Sequence, residues 1–532
     1  MTSNQIKRQQ LAEEQRHNRV TESETKRSNV AKETEAKKRR RADTAIGAIN
    51  AASGAAKAIS SLNDPQWYNY NPQVTKDVAN VAIQPLGASN KRVGSFVRTL
   101  PGICTIDVVL GPGSTYQDAI SAPVNIAARN IYSYVRHMNS GASNYEAPDL
   151  MMYLLCVGEA YAMHAELRRV YGLMRNVDAT NKYVGMNLVK ALGYDYNDFA
   201  GNMADVRAYI NMYGLRLSAL KIPAQMDYFK KLYSMFSNVF KDGESSYEQL
   251  YAYRPYGFHT PSESSFYADL KMERYNGRYV AGTKVGWADT RKYAEKLLTN
   301  LLVSEDINIM SGDVNKAFGS EVFTAPIVDE GYSVEPIYDE LSLAQFANTP
   351  FWYQDGNSAF NSLNVVQNDG TITYGVLLSA TGDSRTLGRF HGADQMVRMF
   401  GVENTPENVM EIMAHGMAVE DLGNSDTGAI YLAAGGLCIA LNGNIWSIED
   451  TTGELSSISF KDISARVLTP EEVGVAQMAY FNYCPQVVVL SNNDSFSYVT
   501  LAPSSRQAMV DINNIKAMTQ AAMLSLFHVP FN

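Results

Sequence analysis

Hydrophobic and polar positions divide the chain into three stretches with different periodicity. Up to residue 45 apolar side chains are few. Between residues 117 and 302 apolar side chains recur every three or four residues, which is typical of amphipathic helices. After about residue 304, short apolar runs separated by turn residues favour strands. The pattern therefore predicts a polar arm, an α-rich part and a strand-rich part.

The α-rich part contains six predicted helices and follows two predicted strands. The helices span residues 117–137, 148–176, 181–192, 197–215, 223–240 and 288–302. Pro148 and Pro223 suit the first turn of a helix, and Asp149 places a negative charge where the helix dipole favours it. The strands cover residues 77–84 and 103–110, and the turn residues Gly111-Pro112-Gly113 end the second one.

The strand-rich part is marked by hairpin signals. Residues 363–378 predict a hairpin around Asp369-Gly370, because a tight turn needs residues that tolerate positive φ. Further strand pairs are predicted at 487–490 with 496–501 and at 428–434 with 437–446. Helical patterns occur at residues 392–400, 406–417 and 506–527. We therefore predict an α+β fold, with an α-rich domain at 65–303 joined by 503–532 and a β-rich domain at 304–502.

Residues 46–64 form a separate stretch of small side chains. Its larger apolar members fall three or four residues apart, which gives a weakly apolar helix stripe: Ile46, Ile49, Ala52, Ala56, Ile59 and Leu62. One interpretation is a helix or linker that lies under the main domain. The other is a releasable amphipathic peptide that disturbs a membrane.

The polar arm, residues 1–45, contains a tandem repeat. The pattern Glu-x-x-Arg-x-Asn-x-x-x-Glu occurs twice, 11 residues apart, at Glu13, Arg16, Asn18 and Glu22 and again at Glu24, Arg27, Asn29 and Glu33. Eleven residues are close to three helical turns, so both copies would share one face of a helix. Because the arm has little apolar surface to bury, we expect it to be largely disordered and to become helical on binding.

Charge separates the arm from the rest of the chain. Residues 1–50 hold 12 Lys and Arg against 7 Asp and Glu, whereas residues 51–532 hold 34 against 48. A basic segment on an acidic body predicts contact with a polyanion, although a solvated or targeting tail has the same composition. The seven acids also indicate that the arm pairs with itself or with the body.

The search for catalytic or metal-binding motifs yields none that predicts an enzyme, a cofactor or a metal site. Gly111-Pro-Gly-Ser-Thr lacks the Lys-Ser/Thr pair of a phosphate loop, and His164-Ala-Glu166 has no partner cysteine motif of a zinc deaminase. The four cysteines are far apart and fit buried positions in a reducing compartment. No signal peptide or membrane-spanning helix is expected.

The tandem repeat resembles one known from picobirnaviruses, where it occurs chiefly in a small hydrophilic protein of the genome segment that also encodes the capsid. The length, the lack of enzyme motifs and the order of arm, α-rich part and strand-rich part are similar to a picobirnavirus capsid protein. The motif covers residues 13–33 only, and here it lies in a much longer chain than usual.

The resemblance implies a capsid protein that assembles as dimers into an icosahedral shell around double-stranded RNA, with α-rich shell and β-rich projecting domains. It places the protein in the virion, assembled in the host cytoplasm, with host membrane as a further partner during entry. It also implies RNA phosphate contacts by nine bases of the arm: Arg16, Arg19, Lys26, Arg27, Lys37, Lys38, Arg39, Arg40 and Arg41. Processing after Asn50 or Asn63 is chemically reasonable. The alternatives are a partitivirus-like capsid protein and an unrecognised enzyme with a disordered tail.

Overall fold

The computed structural model describes the following residues, all of which belong to a unit that spans Ala82–Asn532: 89–90, 98–99, 102–113, 119–141, 144–176, 184–243, 248–262, 269–275, 284–350, 363–374, 377–378, 394–421, 430–448, 455–459, 481–485, 487–490, 498–501 and 507–528. The predicted arm, the stretch 46–64 and the predicted strand 77–84 lie outside these residues. Within them the fold mixes helices and strands, so the predicted α+β class is confirmed.

The helices of the described residues are concentrated before residue 350. They are α1 (Pro123–Met138), α2 (Ala147–Arg175), α3 (Val184–Ala191), α4 (Tyr196–Gly201), α5 (Met203–Leu217), α6 (Asp227–Ser237), α7 (Trp287–Val303), α8 (Glu305–Phe318), α9 (Glu340–Asn348), α10 (Pro406–Met413) and α11 (Ile512–Leu526). A short 3-10 turn, Ala119–Ser121, precedes α1.

The strands are distributed along the whole described chain. They are β1 (Ser89–Asn90), β2 (Arg98–Thr99), β3 (Ile103–Leu110), β4 (Phe240–Lys241), β5 (Leu250–Pro255), β6 (Gly257–Ser262), β7 (Asp269–Arg274), β8 (Val365–Asn368), β9 (Thr371–Tyr374), β10 (Leu377–Leu378), β11 (Asp394–Arg398), β12 (Met417–Asp421), β13 (Ile430–Gly435), β14 (Cys438–Ile448), β15 (Leu455–Ser459), β16 (Val487–Leu490), β17 (Tyr498–Leu501) and β18 (Gln507–Asp511).

The largest described sheet has the order β15-β14-β3-β5-β4. Strand β3 is buried along its whole length, as its continuous apolar run requires, and the predicted strand 103–110 is confirmed. It pairs parallel with β5 and antiparallel with β14. The sheet thus combines strands from both sides of residue 304, while the predicted division into domains remains a prediction.

Helix α2 lies at the centre of the α-rich part and contacts α1, α3, α5, α6 and β6. It begins with Pro148 in its first turn and with a capping box between Glu146 and Asp149, so the predicted helix 148–176 is confirmed. The helix is 29 residues long, and every residue from Leu150 to Leu167 is buried. A helix buried all round has no polar face, and its charged residues must therefore find partners inside the protein.

Several predicted helices have different bounds in the structure. The helix predicted from residue 117 begins at Pro123, and the one predicted at 197–215 is divided at Asn202 into α4 and α5. The prediction that Pro223 starts a helix is wrong. Pro223 forms an isolated bridge with Val322, and α6 begins only at Asp227.

The strand-rich part contains two confirmed strand pairs and one wrong helix. Asp369 and Gly370 have φ of 49° and 73° in the turn between β8 and β9, as the hairpin prediction requires. The predicted pair β16 and β17 is also confirmed. The helix predicted at 392–400 is wrong, because residues 394–398 form β11, which pairs with β18.

Two further predictions for this part need correction. Strands β13 and β14 do not pair with each other: β13 pairs with β12 and β10, whereas β14 pairs with β3 and β15. The final helix begins at Ile512 and not near residue 506, because β18 precedes it.

Candidate assembly surface

Charged side chains of α2 are paired inside the protein. Glu166 forms an ion pair with Arg169 one turn along the helix, and both side chains are fully buried. Tyr194 donates its hydroxyl hydrogen to Glu166 Oε1 over 2.9 Å, and Arg169 donates to the carbonyl oxygens of Asn238 (3.0 Å) and Tyr253 (2.7 Å). These bonds join α2 to the central sheet and to α6, so the charges serve the fold.

A buried Cys-His-Glu group in the same region resembles catalytic machinery in composition but not in geometry. His259 Nδ1 lies 2.7 Å from Glu159 Oε1, and Nε2 lies 2.8 Å from the Leu363 carbonyl oxygen. Cys156 donates its own hydrogen to the His259 carbonyl, and burial, followed by the charge of Glu159, raises the pKa of this thiol. Because both ring nitrogens are engaged and the thiol stays protonated, the group does not form an activated nucleophile.

The pKa of His259 reflects the same arrangement. Burial lowers this pKa, but the charge of Glu159 and the two hydrogen bonds of the ring raise it more, so the net direction is upward. A raised pKa favours the imidazolium form, which can donate to Glu159 and to the Leu363 carbonyl at once. The pair therefore fastens α2 to β6 and to the segment that leads into β8.

A cavity of about 670 Å³ opens where the N-terminal ends of α2 and α8 meet β6. Its apolar wall includes Met152, Tyr153 and Met310, and two carboxylates, Asp149 and Asp306, line it as well. Each carboxylate lies in the first turn of a helix, and Asp149 already accepts a hydrogen bond from the Glu146 backbone. The capping box therefore accounts for Asp149, and the helix dipole favours Asp306 in the first turn of α8. Among the described residues, no group of three or more His, Cys, Asp or Glu is arranged to hold a metal ion.

The outward faces of α7 and α8 are those of ordinary surface helices. Most of their exposed residues are polar: Asp289, Arg291, Lys292, Lys296 and Thr299 on α7, and Glu305, Asp306, Asn308, Asn315 and Lys316 on α8. A helix on a protein surface normally shows such a polar stripe to water.

The outward face of α5 is different, because it is apolar. Its inner face buries Val206, Tyr209, Ile210, Tyr213 and Leu217. Its outer face carries a second row of exposed apolar residues, here named the α5 stripe: Ala204, Ala208, Met212, Leu215 and, in the turn that ends the helix, Ala219. Leu215 is 74% exposed. A helix that is apolar on both faces is typical of one covered on both sides.

The segment that connects α8 and α9, residues 319–339, extends this surface. Ile327, 82% exposed, follows Ala325, and an added Cβ on Gly214 of α5 would lie 3.2 Å from the Ala325 side chain. Asn211 of α5 donates to the Val328 carbonyl (2.9 Å) and accepts from the Val328 amide (2.8 Å). These two hydrogen bonds between Asn211 and Val328 therefore hold the neighbouring Ile327 at the edge of the α5 stripe.

Comparison with known proteins identifies the family. A family model described as picobirnavirus capsid protein matches residues 67–353, which is more than half of the chain. The chain belongs to the picobirnavirus capsid protein family. Membership of this family favours a structural role and agrees with the reading of the buried Cys-His-Glu group as part of the fold.

One curated relative and one solved structure are similar to the chain. The capsid protein precursor of Human picobirnavirus (strain Human/Thailand/Hy005102/-) is 32% identical over 312 residues, which cover 54% of each chain. The chain thus spans about half the length of this curated relative. A crystal structure of the picobirnavirus capsid matches with a TM-score of 0.70 at 20% identity, covering 87% of this chain and 98% of the other. At this identity the structural match shows a shared fold.

The residues predicted to contact RNA, including Arg16 and the basic run Lys37–Arg41, lie outside the described residues, as does the whole tandem repeat. Their role in this picobirnavirus capsid protein therefore remains a prediction. The α5 stripe was not predicted, because a sequence that is apolar on two helical faces does not indicate which face meets solvent. None of the described helices combines the length and apolar character needed to cross a membrane.

Proposed function

We propose that this chain is a capsid protein whose copies form dimers and close into an icosahedral shell around double-stranded RNA, in the virion. Family membership carries this proposal, because the family model covers residues 67–353. The exposed apolar α5 stripe supports it, since such a surface on a folded unit favours association with other protein.

The arm has the charge needed for the RNA side of the function. Its 12 Lys and Arg would approach the phosphates of packaged RNA without reading sequence, because side chains cannot enter the deep major groove of duplex RNA. The body, with 48 acids against 34 bases in residues 51–532, would repel the same RNA. We infer that the arm lies inside the shell and lowers the mutual repulsion of the confined genome.

Expression of the full chain followed by electron microscopy tests shell formation. Uniform closed particles are the expected result, and a protein that remains a compact monomer at all concentrations would contradict the proposal. Nuclease-protected RNA in purified particles is then measured for the full chain and for a deletion of residues 1–45. The deletion should leave shells that contain less RNA.

Two variants of full length separate charge from chain length. Replacement of Lys37–Arg41 by five glutamines should lower the RNA content, because it removes five positive charges from the arm. Replacement of Glu13, Glu22, Glu24 and Glu33 by glutamine should leave the RNA content equal or higher. If all variants package as much RNA as the unchanged chain, the arm does not contact the genome.

A further inference from the structure

Four residues of the α5 stripe are placed symmetrically along the helix. Ala204 and Ala219 lie at equal distances from the midpoint between Asn211 and Met212, and so do Ala208 and Leu215. Two copies of the helix placed antiparallel would therefore bring Leu215 of each copy opposite Ala208 of the other. Large against small side chains is the arrangement that lets two helices approach closely.

The charges at the edge of the stripe follow this symmetry to within one residue, because the midpoint between Asp205 and Arg216 lies one residue before that of the stripe. Asp205 near the start of α5 and Arg216 near its end are 11 residues apart, so they lie on the same edge of the helix. Both remain partly exposed, at 50% and 33% of their side chains, although in their own chain Asp205 binds Trp287 and Arg291, and Arg216 binds Glu295. In an antiparallel pair each Asp205 would face Arg216 of the second copy, an attraction that occurs twice.

We propose that α5 pairs antiparallel with α5 of a second copy of this chain, about a two-fold axis near Met212. The inference rests on the proposed self-assembly and names the surface through which one pair of copies associates. A two-fold contact requires that one surface complement itself, and the spacing of the stripe and the charges at its edge meet this requirement. Ile327 of each copy lies on the other edge of the stripe and completes the apolar centre of the contact.

The surface is preformed, which favours association. The segment 319–339 is fixed by three backbone hydrogen bonds: from Ala224 to Glu321, from Phe323 to Ile222 and from Val334 to Gly172. The two hydrogen bonds between Asn211 and Val328 fix it further. Ile327 therefore loses little conformational freedom when a partner covers it, and the alanines of the stripe lose none in their side chains.

A matched pair of substitutions tests the contact. Leu215→Lys and Val303→Lys both place a lysine near the C-terminal end of a helix, at residues that are 74% and 68% exposed, but only the first lies in the α5 stripe. Self-association is measured by sedimentation velocity over a range of concentrations, and closed particles by electron microscopy. Leu215→Lys should weaken self-association by about tenfold or more, whereas Val303→Lys should match the unchanged chain.

Thiol cross-linking provides a second measurement that does not depend on weakening the contact. The four natural cysteines are buried, so Met212→Cys introduces an accessible thiol next to the expected two-fold axis. A short bis-maleimide should join two copies through Cys at position 212, and the yield should fall when Leu215→Lys is added. A Val303→Cys variant serves as the control for chance encounters.

The outcomes separate this inference from the proposed function. If the unchanged chain forms closed particles and Leu215→Lys does so equally well, the α5 contact is wrong while the capsid proposal stands. If Leu215→Lys blocks assembly but Met212→Cys gives no cross-linked pair above the Val303→Cys level, another surface covers the stripe and the antiparallel pair is wrong. If the unchanged chain forms no particles, the capsid proposal fails, and cross-linking of soluble protein still decides whether α5 pairs.

Discussion

Helices α2 and α5 reverse the usual distribution of polar and apolar residues in opposite ways. Helix α2 buries Glu159, Glu166 and Arg169, which are residue types that normally face water. Helix α5 exposes Met212 and Leu215, which normally lie in a core. The charges of α2 have partners within the described chain. The outer apolar row of α5 is bordered by the segment 319–339 but is not covered by the described residues.

The difference indicates which requirement each helix meets. A buried charge is tolerated only when opposite charge and hydrogen bonds compensate for lost hydration, and the bonds of Glu166 and Arg169 provide this within one chain. An exposed apolar row has no such compensation until another surface covers it. We therefore expect changes in α2 to alter the stability of the single chain and changes in the α5 stripe to alter association.

The largest expected effect is on the buried ion pair of α2. Glu166→Ala leaves the Arg169 guanidinium buried without its carboxylate, which should lower the free energy of unfolding by about 3–5 kcal/mol. Denaturant unfolding measures the change. Lys230→Ala, which removes a partly exposed pair with Asp227 on α6, is the control and should cost less than about 1 kcal/mol. Equal costs for the two variants would contradict the contrast between buried and exposed charge.

The pair of Glu159 with His259 should give a smaller effect that depends on pH. Glu159→Gln removes the negative charge that raises the pKa of His259, and we expect a loss of about 1.5–3 kcal/mol near pH 6. The pKa of His259 is higher in the folded protein than in the unfolded chain, where it is near 6.5. The stabilisation is therefore full below pH 6.5 and is lost as the pH rises through the pKa that His259 has in the folded protein. Unfolding curves at several pH values should show this decline in the unchanged chain and not in Glu159→Gln.

The sequence predicted α2 well because local signals agree with its surroundings. Pro148 and Asp149 mark its start, and its apolar residues continue along most of its length. Only the burial of its charged residues could not be predicted from the sequence. Strand β3 and the turn at Asp369-Gly370 were predicted for the same reason, since a buried apolar run and a positive-φ pair are local features.

Predictions failed where a distant partner decides the conformation. Residues 394–398 have a helical pattern but pair with β18, more than 100 residues later, and Arg398 is buried between the carbonyls of Asn482 and Cys484. Strands β13 and β14 are neighbours in sequence but belong to different sheets. The outward face of α5 could not be assigned for a related reason. When a helix has apolar residues on two faces, the face that packs on α2 depends on residues far from it in the chain.

A pH effect of opposite sign is expected from His164, where α2 approaches α5. Burial, assisted by the positive charge of Arg168, lowers the pKa of His164 to about 3, so the folded protein keeps this ring neutral. The unfolded chain binds a proton below about pH 6.5, and folding stability is therefore lost as pH falls below that value. Between pH 6.5 and 5 the loss from this residue should be about 1.5 kcal/mol.

The variant His164→Gln isolates this contribution, because every other titrating group is common to both proteins. Its free energy of unfolding should fall less steeply than that of the unchanged chain over the same pH range. Equal slopes would mean that His164 takes up a proton in the folded protein, for example by opening of the contact between its ring and Gly214 of α5.

The smallest expected effect is on the stability of the single chain when the α5 stripe is changed. Leu215→Lys should shift the free energy of unfolding by no more than about 0.5 kcal/mol, because the side chain is 74% exposed and lysine is a good helix former. The measurement uses protein dilute enough to remain unassociated, with Val303→Lys as the control. A loss well above 1 kcal/mol would show that Leu215 supports the fold of its own chain, and α5 would then resemble α2. A small shift in the free energy of unfolding together with weakened self-association would assign the stripe to association alone. The two measurements use the same substitution and differ only in whether a second copy is present.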